Sequence, residues 1–222
     1  MKNLKSYKPK TGHVLVLKSV KADMTAGHGN GFLWPKKGTC VAPDWKPIKE
    51  CGYGLHGWKW GEGDASLRVT EEGAKWLVLS VLESSMIDLI GKVKFPECEV
   101  LFVGEMAEAI SIIQAHEPAG NKCIFGTATA GEWGTATAGY SGTATAGEWG
   151  TATAGDSGTA TAGEWGTATA GAEGIIIIQY YDNATETFKR KMAMVDGITI
   201  MPGVKYRLND NHEFEPVNET VA

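Results

Sequence analysis

The sequence has no long hydrophobic run, although 43% of its 222 residues are hydrophobic. No segment approaches the roughly 20 apolar residues of a membrane-spanning helix, and the N-terminus lacks the apolar stretch of a signal peptide. The four cysteines include no CxxC pair. Scattered cysteines without that spacing are typical of reduced proteins, so we expect a cytoplasmic protein that does not contact a membrane.

Charge of one sign is missing from two segments. Six lysines and no acidic residue precede Asp23, whereas the stretch from 124 to 174 has five acidic residues and no basic one. A basic end can contact nucleic acid or phosphate, or it can simply be solvated, and the sequence leaves both open. The acidic stretch repels phosphate, so nucleic acid is not among the partners that we expect.

Six copies of GTATAG recur every eight residues from Gly126 to Gly171. Their two-residue separators alternate, and Glu-Trp stands in every second octad, so the full period is sixteen residues. Such a short period indicates one small unit stacked on itself, because a single unit cannot bury a face alone. Thr-Ala-Thr-Ala alternates as a strand does. We therefore predict a β-solenoid of three coils, with two short strands per coil, alanine inside and threonine outside.

Equivalent side chains of stacked coils form ladders about 4.8 Å apart. We predict an aromatic ladder at one corner, formed by Trp133, Trp149 and Trp165. An acidic column of Glu132, Glu148 and Glu164 would run beside it. The flanking glycines are expected to permit the tight corners that polar two-residue turns need. The flat faces would carry twelve threonines: Thr127, Thr129, Thr135, Thr137, Thr143, Thr145, Thr151, Thr153, Thr159, Thr161, Thr167 and Thr169.

The repeat tract resembles that of bacterial ice-nucleation proteins, whose sixteen-residue coils also carry T-x-T in a TAG frame. Residues 127–129, 135–137 and their four successors match, and the likeness covers 126–173. It implies a solenoid and, for the threonine faces, ice binding. Three coils give a threonine patch only about 10–15 Å long. We therefore expect no useful thermal hysteresis from this chain.

The segments that flank the repeats resemble a second family, of uncharacterised and largely bacteriophage-encoded proteins with variable numbers of TATAG octads. Three segments carry this likeness: 51–58 (CGYGLHGW), Gly104 with the helical EMAEAISII after it, and 174–181 (GIIIIQYY). The resemblance implies an architecture and a phage setting, and hence the host cytoplasm. It implies no reaction.

We predict three domains. An α+β head at 1–123 precedes the solenoid at 124–174, and a β cap at 175–222 follows it. Residues 34–64, rich in Trp, Pro and Gly, read as loops and short strands. In the head the hydrophobic pattern predicts strands at 13–20, 76–82, 86–90, 93–95 and 100–103, and a helix at 105–116 that Pro118 ends.

The C-terminal segment predicts a small antiparallel sheet that covers the last coil. An exposed solenoid end would otherwise be a template for aggregation. Turns are expected at Asp196-Gly197 and Pro202-Gly203. The predicted strands are 174–182, 187–195, 198–201 and 204–208.

His56 stands in the segment Cys-Gly-Tyr-Gly-Leu-His-Gly-Trp, where glycines would let the backbone approach a ligand closely. With Trp58, Trp45 and Asp64 it forms a candidate site for a nucleobase-like or sugar-like ligand. Alternatively, the tryptophans form the core of a loop-rich subdomain around a structural histidine. The sequence names no activated nucleophile with a partner base, so we do not expect catalysis.

Two further kinds of site lack the required spacing. A zinc site from Cys40, Cys51, His56 and Cys98 matches no usual ligand pattern. The glycine strings at Gly27–Gly31 and Gly61–Gly63 lack both phosphate-binding frames, GxxxxGK[ST] and GxGxxG. We therefore expect neither a metal nor a cofactor.

These features support three functional hypotheses. The first is a non-enzymatic, phage-type accessory protein whose rigid solenoid mediates self-assembly, as a symmetric dimer, or binds a partner such as a host protein. The second is a ligand-binding or enzymatic head centred on His56 and Trp58, with the capacity to counter a host defence. The third, ice binding, is disfavoured by the small size of the threonine patch.

Overall fold

The computed structural model describes residues 4–26, 31–118 and 123–217. The chain divides into two compact units, residues 1–119 and 120–222. The first unit contains the sheet and helix expected of the head, and the second contains the repeats together with the C-terminal segment. Most of the glycine string at Gly27–Gly31 lies outside the described residues.

The first unit is built on an antiparallel sheet of seven strands. They are β1 (His13–Val20), β2 (Gly38–Val41), β3 (Leu55–Lys59), β4 (Lys75–Leu82), β5 (Ile87–Asp88), β6 (Val93–Phe95) and β7 (Glu97–Gly104). Their order across the sheet is β2-β7-β4-β1-β3-β6-β5. The two strands with continuous apolar runs, β1 and β4, pair along their whole length at the centre, where burial on both faces favours such runs.

The described residues of this unit contain one α-helix, α1 (Met106–Gln114), which packs against β1, β4 and β7. Its buried side chains are Ala109, Ile110, Ile112 and Ile113. The helix predicted at 105–116 is therefore confirmed, with shorter ends. No helix among the residues that the structure describes has both the length and the apolar character to cross a membrane.

A local hydrogen bond explains one of the differences between the strand predictions for this unit and the structure. The strand expected at 86–90 is reduced to β5, because Asp88 accepts a hydrogen bond from the Ile90 amide and turns the chain. The prediction at 100–103 covers only part of β7. Two strands, β2 and β3, form within the Trp-rich, Pro-rich and Gly-rich region.

The second unit contains the predicted solenoid of three coils. Six strands alternate between two parallel sheets: β8 (Thr127–Ala130), β9 (Thr135–Thr137), β10 (Thr143–Ala146), β11 (Thr151–Thr153), β12 (Thr159–Ala162) and β13 (Thr167–Thr169). Equivalent residues of successive coils pair in register, as Thr143 does with Thr127 and Thr159. Alanines fill the interior, and Ala144 and Ala160 are fully buried.

The corners of the coils are two-residue turns flanked by glycine, as predicted from the sequence, and the Gly150 N–H donates to the Gly147 carbonyl oxygen at 3.0 Å across one of them. The positive φ falls on the second separator residue, at 54° for Trp149 and 53° for Ser157. In four of these residues the backbone N–H donates to the next coil, as that of Trp149 does to the carbonyl oxygen of Glu164 at 2.9 Å; the other three are Trp133, Ser141 and Ser157. The inter-coil hydrogen bonds thus continue through the corners and offset the cost of the left-handed conformation.

The repeat glycines have a second role, which is to let successive coils pack closely. A Cβ added at Gly142 would lie 2.8 Å from Ala138 Cβ and 2.8 Å from the Gly126 carbonyl oxygen. One added at Gly147 would lie 2.8 Å from the Glu132 nitrogen. Coils that are only one strand spacing apart leave no room for a side chain at these positions.

The C-terminal segment extends both solenoid sheets and does not form a separate sheet. Its strands are β14 (Ile175–Asp182), β15 (Thr187–Met194), β16 (Tyr206–Leu208) and β17 (Phe214–Pro216). The start of β14 pairs in parallel with β12, as a further rung, and β15 pairs with it antiparallel. On the other sheet, β16 pairs antiparallel with β13, and β17 with β16. Two hairpins therefore cap the last coil, one on each sheet.

The strand predicted at 198–201 is wrong. Asp196 Oδ1 accepts hydrogen bonds from the backbone N–H groups of Ile198, Thr199 and Ile200, at 2.8 to 3.0 Å. An aspartate that bonds the following amides stabilises a turn in place of an extended strand. Buried Ile200, Ile176, Ile178 and Tyr206 enlarge the narrow alanine core at this end of the solenoid.

Candidate functional site

The three tryptophans of the solenoid form a continuous stack at one corner. The ring centroids of Trp133 and Trp149 are 5.0 Å apart with an interplanar angle of 4°, and those of Trp149 and Trp165 are 5.6 Å apart at 17°. The rings are 72%, 47% and 61% exposed, in chain order. Solvent therefore reaches a flat, rigid aromatic surface three rings long.

The acidic column lies at the same corner, one residue before each ring. Glu132 and Glu148 are exposed, and Glu164 is half-buried. Glu164 Oε1 accepts a hydrogen bond from the Tyr181 backbone N–H at 3.2 Å. The aromatic surface is therefore flanked by carboxylates, and a partner that covers it meets negative charge.

The twelve threonines are divided equally between the outer faces of the two sheets. Their exposure falls along the axis, from exposed at Thr127 and Thr129 to half-buried at Thr167 and Thr169. Within one face, Thr167 Oγ1 donates to Thr151 Oγ1 at 3.2 Å. Each face therefore presents a short, regular array of hydroxyl and methyl groups.

The first unit contains a cavity of about 610 Å³ beside the predicted site. His56 and Trp58, two of the four candidate residues, line it. Phe32, Trp34 and Tyr53 add aromatic walls. A volume in this range accommodates a small-molecule ligand.

Trp45 and Asp64, the other two candidates, take structural roles. The Asp64 carboxylate accepts a hydrogen bond from the Ser66 backbone N–H at 2.9 Å. The Asp64 backbone carbonyl oxygen accepts one from the Trp58 indole N–H at 3.0 Å. Trp45 packs over Gly54, where an added Cβ would lie 2.9 Å from its ring. Neither residue is part of the cavity wall.

The glycines around His56 make room for protein atoms. A Cβ at Gly57 would lie 2.4 Å from Val16 Cγ1 and 2.7 Å from the Leu17 carbonyl oxygen, because β1 and β3 pair closely there. The Cβ space at Gly57 and Gly54 is therefore taken by protein atoms, although both residues border the cavity. Gly52, which has no heavy atom within 4 Å of its added Cβ, also borders the cavity.

His56 presents an unsatisfied polar atom in this region. Its Nε2 is buried and has no hydrogen-bond partner among the residues that the structure describes. Burial lowers the pKa of His56 to about 4, and the charges of Lys92, Lys18 and Lys94 add to this effect against an opposing contribution from Asp44. The imidazole is therefore neutral at pH 7.

Two cavity residues, Lys18 and Lys92, were missed at the level of the sequence. Burial, together with repulsion by Lys92, lowers the pKa of Lys18 to about 8. Lys92 Nζ donates to Cys51 Sγ at 3.0 Å. The available signal was a lysine directly after the apolar run of β1, since a charged residue in a central strand needs a polar environment.

The cysteines do not converge on a metal site. Cys40 and Cys98 face each other across β2 and β7, both buried and both free, and Cys51 is exposed. Within residues 4–26, 31–118 and 123–217, no cluster of three or more His, Cys, Asp or Glu side chains could hold a metal ion.

The second unit defines a tandem-repeat β-solenoid protein, and the chain is similar in sequence to several ice nucleation proteins. The chain is 38% identical over 109 residues to the ice nucleation protein InaU of Pantoea ananas, which is 48% of this chain and 10% of that protein. It is also 38% identical over 109 residues to an ice nucleation protein of Enterobacter agglomerans, over 48% of this chain and 8% of that protein.

A third relative, an ice nucleation protein of Xanthomonas campestris pv. translucens, is 36% identical over 90 residues, 40% of this chain and 6% of that protein. The chain thus spans a tenth or less of the length of these three relatives. It matches no family model. No solved structure matches it. The resemblance to bacteriophage-encoded proteins stays a prediction.

Proposed function

We propose that this protein is a non-enzymatic assembly module in which two copies associate through the tryptophan corner of the solenoid. The observation that supports the proposal is the exposed three-ring stack of Trp133, Trp149 and Trp165. Large aromatic side chains at a rigid, exposed site are typical of protein interfaces. The similarity to ice nucleation proteins is consistent with a repeat surface as the functional part of the chain.

A symmetric dimer fits this corner because the stack has a central ring. In a C2 arrangement the two-fold axis passes next to Trp149 of both copies, and Trp133 of one copy meets Trp165 of the other. Each pair of rings then buries area that is exposed in one copy alone. The acidic columns of the two copies approach each other at the rim, so charge repulsion limits the affinity.

The experiment is sedimentation velocity on the full chain, from micromolar to sub-millimolar concentration. We expect a reversible dimer that Trp149→Ala weakens. The matched controls are Ser141→Ala and Ser157→Ala, which lie at the same turn position in the opposite corner, with φ of 48° and 53°. A monomer at every concentration, or equal weakening by the control variants, would contradict the proposal.

The phage-type accessory role and a host-protein partner rest on the second resemblance alone. A host protein that covers the same corner would compete with the dimer. Pull-down from a bacterial lysate with the wild-type chain and with Trp149→Ala distinguishes a host-protein partner from self-association. A host protein retained by the wild type alone, in the absence of dimer, would replace self-association as the role of the corner.

Ice binding is the second candidate, supported by the threonine arrays and by the names of the relatives. Size argues against it, because three rungs of threonine per face extend only about 10–15 Å. Measurement of thermal hysteresis on dilute protein tests it directly. We expect no hysteresis gap, and a gap that Thr151→Val or Thr153→Tyr changes would show that the face binds ice.

A further inference from the structure

We propose that the cavity of the first unit binds a nucleotide-sized ligand that combines a planar heteroaromatic ring with a phosphate-like anion. The inference concerns a different unit from the solenoid and does not depend on the dimer. Three independent features of the cavity wall support it: aromatic rings, two lysines and two buried polar atoms without partners.

The aromatic residues provide surfaces for a planar ring. Phe32 is half-buried at the cavity wall and is supported edge to face by Trp34, which is 3% exposed, with centroids 5.6 Å apart. Tyr53 stands at the wall with 39% of its surface exposed, held by Lys46 Nζ 3.9 Å from its ring centroid. Bases stack on such rings with little dependence on sequence. The volume of about 610 Å³ lies within the range of about 300–1,000 Å³ that is usual for small-molecule sites.

The lysines give the cavity a net positive character. Lys18 and Lys92 line it, and Asp44 is the one carboxylate among the described residues of its wall. Two ammonium groups in a shared, partly dry space repel each other, and an anion placed between them removes that cost. Phosphate oxygens are suitable acceptors for lysine ammonium groups.

Two unpartnered polar atoms belong to side chains of the cavity wall. Trp34 Nε1 and His56 Nε2 are both buried and both lack a hydrogen-bond partner among the described residues, and both side chains line the cavity. An indole N–H can only donate, whereas the neutral His56 ring has one donor and one acceptor nitrogen. Leaving such atoms unpaired is costly. The polar edge of a heteroaromatic ring carries both hydrogen-bond acceptors and hydrogen-bond donors, which are the partners that these two atoms lack.

Titration calorimetry on the full chain with AMP, GMP, CMP and UMP tests the proposal, with adenosine and inorganic phosphate as half-ligands. We expect at least one monophosphate to bind, and adenosine and phosphate each to bind at least tenfold more weakly. No binding by any monophosphate would overturn the proposal. An affinity for adenosine equal to that for AMP would exclude the anion site. An affinity for phosphate equal to that for AMP would exclude the ring site.

Variants locate the site. Lys92→Gln should weaken the monophosphate at least tenfold and leave adenosine unchanged. Lys59→Gln is its matched control, because Lys59 pairs with Glu83 outside the cavity wall. Trp34→Phe keeps the ring and removes the donor, so we expect about a fivefold loss. Thermal melting checks that each variant is folded, and unchanged affinity in both cavity variants would refute this location.

The pH dependence gives a separate readout. Lys18, with its pKa lowered to about 8, loses its charge between pH 7 and 9, so affinity for the monophosphate should fall over that range. Lys18→Gln should abolish most of the fall. The other titratable groups at the wall are Asp44, Cys51, Tyr53, His56 and Lys92. Cys51→Ser controls for its thiol, and a fall that this variant abolishes would exclude Lys18 as the cause.

Discussion

The middle ring of the tryptophan stack should contribute more to stability than its two neighbours. Trp149 contacts a ring on each side and is 47% exposed, whereas Trp165 and Trp133 contact one ring each and are 61% and 72% exposed. We expect Trp149→Ala to reduce the free energy of unfolding most, followed by Trp165→Ala and then Trp133→Ala.

The magnitude follows from the exposed fractions. The buried fraction of Trp149 is larger than that of Trp133 by about a quarter of the residue's surface. For a side chain of about 250 Å² that is about 60 Å², or about 1.5 kcal/mol at about 25 cal/mol/Å². One additional aromatic pair, at about 0.5–1.5 kcal/mol, leads to a similar value. In a chain of this length the difference corresponds to about 3–6 °C in melting temperature.

Backbone effects cancel in this comparison. The three tryptophans have φ of 58°, 54° and 59°, so alanine meets the same left-handed strain at each position. Trp149→Gly is the control, because it removes the ring and relieves the strain, and it should be about 1 kcal/mol more stable than Trp149→Ala.

Urea unfolding followed by far-UV circular dichroism is the suitable assay, at a concentration below any self-association. Tryptophan fluorescence is unsuitable, since the variants change the signal itself. Equal losses in all three alanine variants would refute the stacking argument, and the rings would then be independent turn residues.

Three further predictions concern charge and thiol chemistry. Raising the ionic strength should strengthen the solenoid dimer, because salt screens the two acidic columns, and sedimentation at two salt concentrations measures this. Cys51 should react with iodoacetamide before Cys40 and Cys98, because it is exposed and the Lys92 ammonium lowers its pKa; peptide mass spectrometry gives the order. Asp196→Ala should lower the melting temperature at pH 7. The amides of Ile198 and its neighbours lower the pKa of Asp196 from 3.8 to about 2, so its contribution is present above pH 4 and lost as the pH falls through 2. The difference in melting temperature between wild type and variant should therefore be smaller at pH 2 than at pH 7.

The solenoid could be predicted from the sequence because its contacts repeat. Once the sixteen-residue period is known, each residue pairs with its own equivalent, as Thr143 does with Thr127. The repeat in the sequence therefore also gives the register of the strand pairs. The central strands β1 and β4 could be predicted for a similar reason, since a continuous apolar run has few alternatives.

The cavity could not be predicted, because the residues that form it are far apart in the sequence. Lys18, Trp34, His56 and Lys92 meet only through the order of the strands in the sheet, which the strand pattern alone does not determine. The failure at 198–201 has the opposite origin. There a local interaction, the Asp196 carboxylate with three amides, outweighs the β-propensity of Ile198 and Ile200.

The alternation of separators has a consequence for how such a chain can change in length. Gain or loss of a single octad would move every later Glu-Trp pair to the opposite corner and divide the aromatic stack between two edges. Gain or loss of two octads would keep the stack in one column and change it by one ring. Recombination between repeats can therefore lengthen or shorten the aromatic surface only in steps of one coil.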